Sequence, residues 1–197
     1  MGNKGSKVKI KRTKLTKKLI NKLVAETHFT EDEIKVLFKR YEELSKLDHD
    51  DGVIDMEEFK QALGLKSVGF AQRIFAAFDN DNSSTIDFEE YARGLSAICP
   101  RASVSEKAKF CFGLFDIDGN GTIEREELKI VLSLSLRENG SVKFTSDQLN
   151  QAIETTYRQI DQDGNGVISF EEFQNAAQAN PQILDCVNVD VQWLLSN

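Results

Sequence analysis

Two twelve-residue segments constrain this chain more than anything else in it: Asp116-Ile-Asp-Gly-Asn-Gly-Thr-Ile-Glu-Arg-Glu-Glu127 and Asp161-Gln-Asp-Gly-Asn-Gly-Val-Ile-Ser-Phe-Glu-Glu172. Each sets side-chain oxygens at positions 1, 3 and 5, Gly at 6, a backbone carbonyl at 7 and Glu at 12, which is the ligand order of a calcium-binding loop. The spacing has a chemical reason. Calcium takes six to eight oxygens at about 2.3–2.6 Å, and only a tightly wound loop turns alternate residues inward to supply them. Gly at position 6 provides the φ > 0 bend. The ligand sets are therefore Asp116, Asp118, Asn120, the Thr122 carbonyl and Glu127, and Asp161, Asp163, Asn165, the Val167 carbonyl and Glu172.

Periodicity outside the loops agrees. Phe112 and Phe115 stand four and one residues before Asp116, and Tyr157 and Ile160 hold the same places before Asp161, as the inward face of an entering helix would. The rule finds a third loop, where Phe75 and Phe78 precede Asp79 and the positions 3, 5, 7 and 12 are Asp81, Ser83, Thr85 and Glu90. Its sixth residue is Ser84. A non-Gly residue held at φ > 0 costs roughly 1–2 kcal/mol, which lowers affinity about tenfold, while the extra carboxylate of Asp87 pulls the other way. A fourth, irregular loop comes first in the chain. A twelve-residue frame ending on Glu58 would begin at Leu47, which offers no side-chain oxygen. Counting from the helix-end pair Tyr41 and Leu44 instead starts the loop at Ser45 and gives it fourteen residues, with Asp51-Gly52 at the bend. A metal-free first loop is the competing reading, because coordination there leans on backbone carbonyls.

Loop starts at 45, 79, 116 and 161 predict an all-α protein of the EF-hand type: four EF-hands in two paired lobes. The apolar residue four before each closing Glu, position 8 of a twelve-residue loop, pairs Ile54 with Ile86 and Ile123 with Ile168 in short antiparallel β bridges. The expected organisation is an arm and helix over 1–28, an N-lobe over 29–97 with hands one and two, a C-lobe over 103–180 with hands three and four, and a tail over 181–197. Ser96-Ala-Ile-Cys-Pro100 carries one of the two prolines and reads as the linker. Ser103-x-x-Glu106 and Thr145-x-x-Gln148 read as capping boxes that open helices.

Composition narrows the function. Neither His28 nor His49 stands in a catalytic motif, so the chain is expected not to be an enzyme. Cys99, Cys111 and Cys186 have no metal-ligand spacing and read as reduced thiols of a cytosolic protein. No stretch approaches the roughly 20 apolar residues of a membrane span. The net charge of −7 conceals an asymmetry: residues 1–25 hold nine Lys or Arg and no acid, leaving 16 basic against 32 acidic residues in the remainder.

That arm begins Met1-Gly2-Asn-Lys-Gly-Ser6, the pattern for attaching myristate to Gly2. One myristoyl chain binds membranes only marginally and needs a second signal. Lys4, Lys7, Lys9, Lys11, Arg12, Lys14, Lys17 and Lys18 can supply it at about 1 kcal/mol each near an anionic leaflet. The expectation is a cytoplasmic protein held peripherally at a membrane. Leu15, Leu19, Ile20, Leu23 and Val24 follow at helical spacing, to dock on the N-lobe or lie on the bilayer. The alternatives are a solvated charge run or a nucleic-acid arm, and the acidic body, with no recognisable nucleic-acid module, argues against the latter.

From Phe29 to Asp185 the chain resembles the myristoylated four-EF-hand sensors, a family that includes calcineurin B, the neuronal calcium sensors and the plant-type calcineurin B-like proteins. The plant-type group looks closest on the fourteen-residue first loop, on Ala71-Gln-Arg-Ile-Phe-Ala-Ala-Phe-Asp79 and on Glu106-Lys-Ala-Lys-Phe-Cys-Phe-Gly-Leu-Phe-Asp116. The resemblance implies an adaptor that offers a hydrophobic groove to an amphipathic helix of a protein kinase or of a phosphatase catalytic chain. Val131, Leu132, Leu134 and Leu136 are candidates for core or groove, whereas Ile183, Leu184, Val187, Val191, Trp193, Leu194 and Leu195 read either as ordinary packing or as a tail that sits in its own groove until a partner displaces it. A calcium buffer is the reading from a different class.

Overall fold

A computed structural model describes residues 13–139 and 145–186 of the chain. Gly2, the basic residues up to Arg12, the side chain of Leu136 and the tail from Val187 lie outside the described residues. The helices within them run α1 (Lys17–Glu26), α2 (Glu31–Leu44), α3 (Met56–Ala62), α4 (Val68–Phe78), α5 (Phe88–Ile98), α6 (Val104–Phe115), α7 (Arg125–Asn139), α8 (Ser146–Ile160) and α9 (Phe170–Ala179). A 3-10 turn, Pro181–Cys186, follows α9. Hands one to four are α2–α3, α4–α5, α6–α7 and α8–α9.

Helix starts follow side-chain chemistry. Both expected capping boxes form, Ser103 with Glu106 and Thr145 with Gln148. Four more do so: Thr30 with Glu33, Asp55 with Glu58, Asp87 with Glu90 and Ser169 with Glu172. In the last three the box is also part of a loop, because position 9 is the N-cap and position 12 is the third helical residue. The Glu that would grip calcium is thus already anchored to the start of the exit helix.

Loops pair as the position-8 rule predicts. Ile54 and Ile86 exchange backbone hydrogen bonds of 3.0 and 2.8 Å, while β1 (Thr122–Ile123) runs antiparallel to β2 (Ile168–Ser169) with Ile123 opposite Ile168. All four isoleucines are fully buried.

The two lobes have separate cores that meet at α6. Ala108, Cys111, Phe112 and Phe115 belong to the C-lobe core, whereas Phe110 and Leu114 belong to the N-lobe core. Spacings of three, four and seven residues put each set on its own face of one helix, so α6 serves both lobes. Phe110 meets Phe78 edge-on with ring centroids 5.7 Å apart. Val131 is buried in the C-lobe and Leu132 packs against that core, but Leu134 crosses to the N-lobe core.

The helix that follows the basic arm docks on the N-lobe: Ile20 and Leu23 of α1 are buried in its core. Lys22 pairs with Glu89, and Arg93 with both Glu26 and Glu89, which ties α1 to α5. Exposed pairs of this kind contribute about 0–1 kcal/mol each, whereas burying a leucine side chain contributes about 1.5–3. The apolar face therefore holds α1 and the ion pairs set its register. At the other end, Ile183 and Leu184 pack against the C-lobe core.

Candidate calcium sites

Loops three and four are closely alike. Asp116 Oδ2 accepts from Gly121 N at 3.0 Å and Asp161 Oδ2 from Gly166 N at 3.2 Å, so each position-1 carboxylate is fixed across its loop. The other oxygen of each, Asp116 Oδ1 and Asp161 Oδ1, is buried with no hydrogen-bond partner. A buried carboxylate oxygen without a partner is costly, and a cation at the loop centre removes that cost. Asp116, Asp118 and Glu127 bring ligand oxygens within 4.8 Å of one another, and Asp161, Asp163 and Glu172 do the same. The donor set is all oxygen, as calcium prefers. Asn120 and Asn165 turn back on their loops, their backbone N–H groups donating to Asp118 and Asp163. Thr122 opens β1, and Val167 immediately precedes β2.

Glu at position 12 spans each loop. Glu127 Oε1 accepts from Ile117 N and Asp118 N and its Oε2 from Glu124 N; Glu172 repeats this with Gln162, Asp163 and Ser169. The bonds at Ser169 and in the loop hold the Glu172 carboxyl below the usual carboxylate range. In loop two Glu90 accepts from Asn80, Asp81 and Asp87, yet burial, helped by the Asp87 charge, pushes it up.

Loop two departs at the bend as the sequence predicts. Ser84 sits at φ 66°, and Asn82 at position 4 is also left-handed at φ 56°. In loops three and four those two places are glycines. Asp79 also differs from Asp116 and Asp161, because both its oxygens already accept, Oδ1 from Ser83 N and Oδ2 from Ser84 N. The carboxylates of Asp79, Asp81 and Glu90 still gather within 4.8 Å. The Thr85 carbonyl accepts from the Ser83 hydroxyl.

Loop one follows two registers at once. Counted from the helix, it starts at Ser45, the C-cap of α2. Counted from Glu58, it is a twelve-residue loop: Glu58 Oε1 accepts from Asp48 N and His49 N, ten and nine residues back, and Oε2 from Asp55 N, three back. These are the intervals seen for Glu90, Glu127 and Glu172. Gly52, at φ 86°, then holds position 6. Ser45 and Lys46 are thus an insertion, absorbed in a turn closed by Leu47 N donating to Leu44 O. Position 1 falls on Leu47, and the ligand-type side chains that gather are Asp48, His49 and Asp55.

Two tyrosines confirm the equivalence. The Tyr41 hydroxyl faces the carbonyls of Gly52 and Ile86 at 3.0 and 3.1 Å, and the Tyr157 hydroxyl those of Gly166 and Ile123 at 2.8 and 3.1 Å. Each joins position 6 of its own loop to position 8 of the paired loop. Sequence spacing marks both as inward helix-end residues, but the role of the hydroxyl depends on the loop that pairs with it. Tyr157→Phe is expected to cost about 1 kcal/mol, the net worth of one such bond, and to speed amide exchange at Ile123 and Ile168; unchanged exchange would show that the hydroxyl does not secure the pairing.

Comparison with known proteins agrees with this geometry. The family profile of an EF-hand domain pair matches residues 105–178, and a second EF-hand domain-pair profile matches residues 50–95. The chain is 41% identical over 162 residues to calcineurin B of Candida glabrata, an alignment that covers 82% of this chain and 89% of that protein. It is 38% identical to calcineurin B of Yarrowia lipolytica over 75% of this chain and 82% of that protein. The calcineurin B of Schizosaccharomyces pombe is 33% identical over 78% of this chain and 84% of its own length. These relatives carry the calcineurin B likeness; they do not bear on a closer kinship with the plant-type group.

Proposed function

The chain belongs to the calcineurin B family of four-EF-hand, calcium-binding regulatory subunits, and from that premise we propose that its effector is the catalytic chain of a calcineurin-type protein phosphatase. The observation that carries this reading is likeness to calcineurin B across most of both chains. The protein contributes no catalytic group. It holds an amphipathic helix of the effector through i, i+3, i+4, i+7 anchors in an apolar groove, and calcium controls access to that groove by changing the angle between the paired helices. A protein kinase is the second effector class, supported by the sequence resemblance to plant-type members. The ligands are Asp116, Asp118, Asn120, the Thr122 carbonyl and Glu127 in loop three, with Asp161, Asp163, Asn165, the Val167 carbonyl and Glu172 in loop four. Asp79, Asp81, Ser83, the Thr85 carbonyl and Glu90 form a weaker set in loop two.

Reconstitution tests the reading. Mixed with a calcineurin-type catalytic chain, the protein should bind it and raise phosphatase activity in calcium but not in chelator. Binding of a kinase catalytic chain in place of the phosphatase would overturn the assignment of the effector.

The arm places this adaptor at a cytoplasmic membrane face. Myristate on Gly2 supplies a binding constant of about 10⁴ M⁻¹, and the basic residues add attraction to anionic lipid that fades beyond a Debye length of about 8 Å. Gly2→Ala should release the acylation-competent protein from anionic vesicles in a sedimentation assay. Neutralising Lys7, Lys9, Lys11 and Lys14 should flatten the salt dependence of binding. Undiminished, salt-insensitive binding by Gly2→Ala would show that the arm is not a lipid anchor.

A further inference from the structure

The last carbonyls of α6 need donors, and the last turn of that helix has no basic residue to supply them. The donor comes from the other lobe. Arg73 on α4 donates through Nε to Leu114 O at 3.1 Å. Its Nη2 donates to Leu114 O at 3.1 Å and to Gly113 O and Asp116 O at 3.3 Å. A guanidinium fork over a helix C-terminus satisfies the carbonyls and opposes the negative end of the dipole. Asp116 is also position 1 of loop three. Burial works against the charge of Arg73, while the carboxylates of Glu127 and Asp116 favour it.

A second contact lies one turn earlier on α4. A Cβ placed on Gly69 would stand 2.9 Å from Leu134 Cδ2 of α7, so the backbone of α4 rests against the exit helix of hand three. The entering helix of hand two therefore touches both helices of hand three, Arg73 on one and Gly69 on the other. Calcium binding changes the angle between the helices of a sensor hand, and α4 cannot keep both contacts through such a change. Calcium in loop three also brings two positive charges beside the Arg73 guanidinium.

We propose that Arg73 is a positioning residue that couples calcium site three to calcium site two across the lobe boundary: it pins α4 to α6 until loop three fills, and filling loop three releases α4 so that hand two can open. This rests on the reading of loops two and three as calcium sites. The coupling is positive and, by reciprocity, each site raises the affinity of the other by the same factor.

The test is a double-mutant cycle on the full chain, with calcium titrated while backbone amide signals of Ser83 and Ser84 report loop two and that of Gly166 reports loop four. Glu127→Gln empties loop three and should lower loop-two affinity about fivefold or more, the lower end of typical coupling. Arg73→Gln keeps the stem but removes the charge and the fork; it should raise loop-two affinity and reduce the effect of Glu127→Gln to less than about twofold, leaving loop four unchanged. Arg73→Lys, which retains the charge without the fork, should fall between and stands in if Arg73→Gln does not fold. Equal sensitivity of loop two to Glu127→Gln with and without Arg73, or none in either background, overturns the coupling. Failure of loops two and three to bind calcium in the wild-type chain instead overturns the site reading beneath it.

Discussion

Glu127→Gln and Glu172→Gln are each expected to remove about one calcium equivalent from a calorimetric titration of the full chain. Each replaces a carboxylate able to give calcium two oxygens by an amide with one, and takes a negative charge from a site holding two other carboxylates. The same carboxylates receive three backbone N–H groups, so each loop loses an internal brace as well as a ligand. Wild-type loops three and four should bind in the sensor range, on the order of 10⁻⁷–10⁻⁵ M. Loop two should be about tenfold weaker, because Asn82 and Ser84 are both held at positive φ and both Asp79 oxygens already accept hydrogen bonds. Site occupancy should also appear as stability: calcium at 100 times its Kd adds about 2.7 kcal/mol per site that binds only the folded state. Unchanged stoichiometry in both variants would sink the ligand assignment.

Phe78→Ala should destabilise the protein by about 3–5 kcal/mol, the usual cost of deleting a buried aromatic ring. Phe78 is fully buried and stacks edge-on with Phe59, at 5.2 Å, as well as with Phe110. It therefore joins α6, through Phe110, to the N-lobe core. The ring also fills the space beside Gly94, where an added Cβ would fall 2.3 Å from Phe78 Cδ1 and Cε1. Gly94→Ala alone should cost about 1–3 kcal/mol by overpacking. Because the two residues share one space, Gly94→Ala combined with Phe78→Leu should cost less than the sum of the single changes, as contacting residues do. Chemical denaturation of the wild type, Gly94→Ala, Phe78→Leu and the double variant measures this. Strict additivity would mean that Gly94 is glycine for another reason.

How much was legible in sequence follows from the range of each interaction. The loops were readable because calcium ligands are set by intervals within twelve residues, and capping boxes because they span three. Pairing of Ile54 with Ile86 and of Ile123 with Ile168 was also readable, since paired loops meet at equivalent positions. The first loop shows where local counting runs out. Helix-end spacing placed its start at Ser45, and the structure agrees that α2 ends there. The hydrogen bonds of Glu58 nonetheless restore the twelve-residue register inside it, with Ser45 and Lys46 as the insertion. Gly52, Ile54, Asp55 and Glu58 suit positions 6, 8, 9 and 12 of that register, but only the bonds accepted by the Glu58 carboxylate decide between the two frames.

The sequence by itself determined the four hands, their pairing and the bend residues, because each depends on neighbours within a turn or two of chain. Only the tertiary structure decided what touches across the lobes. Phe110 and Leu114 look like any apolar residues of α6, yet they face the N-lobe; Leu134 looks like core of its own hand, yet it rests on Gly69. Arg73 reads as one more surface cation until α4 lies against the end of α6. The two apolar faces of α6 were present in its periodicity, but which lobe each would serve depended on how the completed hands packed, and packing energy is summed over surfaces that no local window contains.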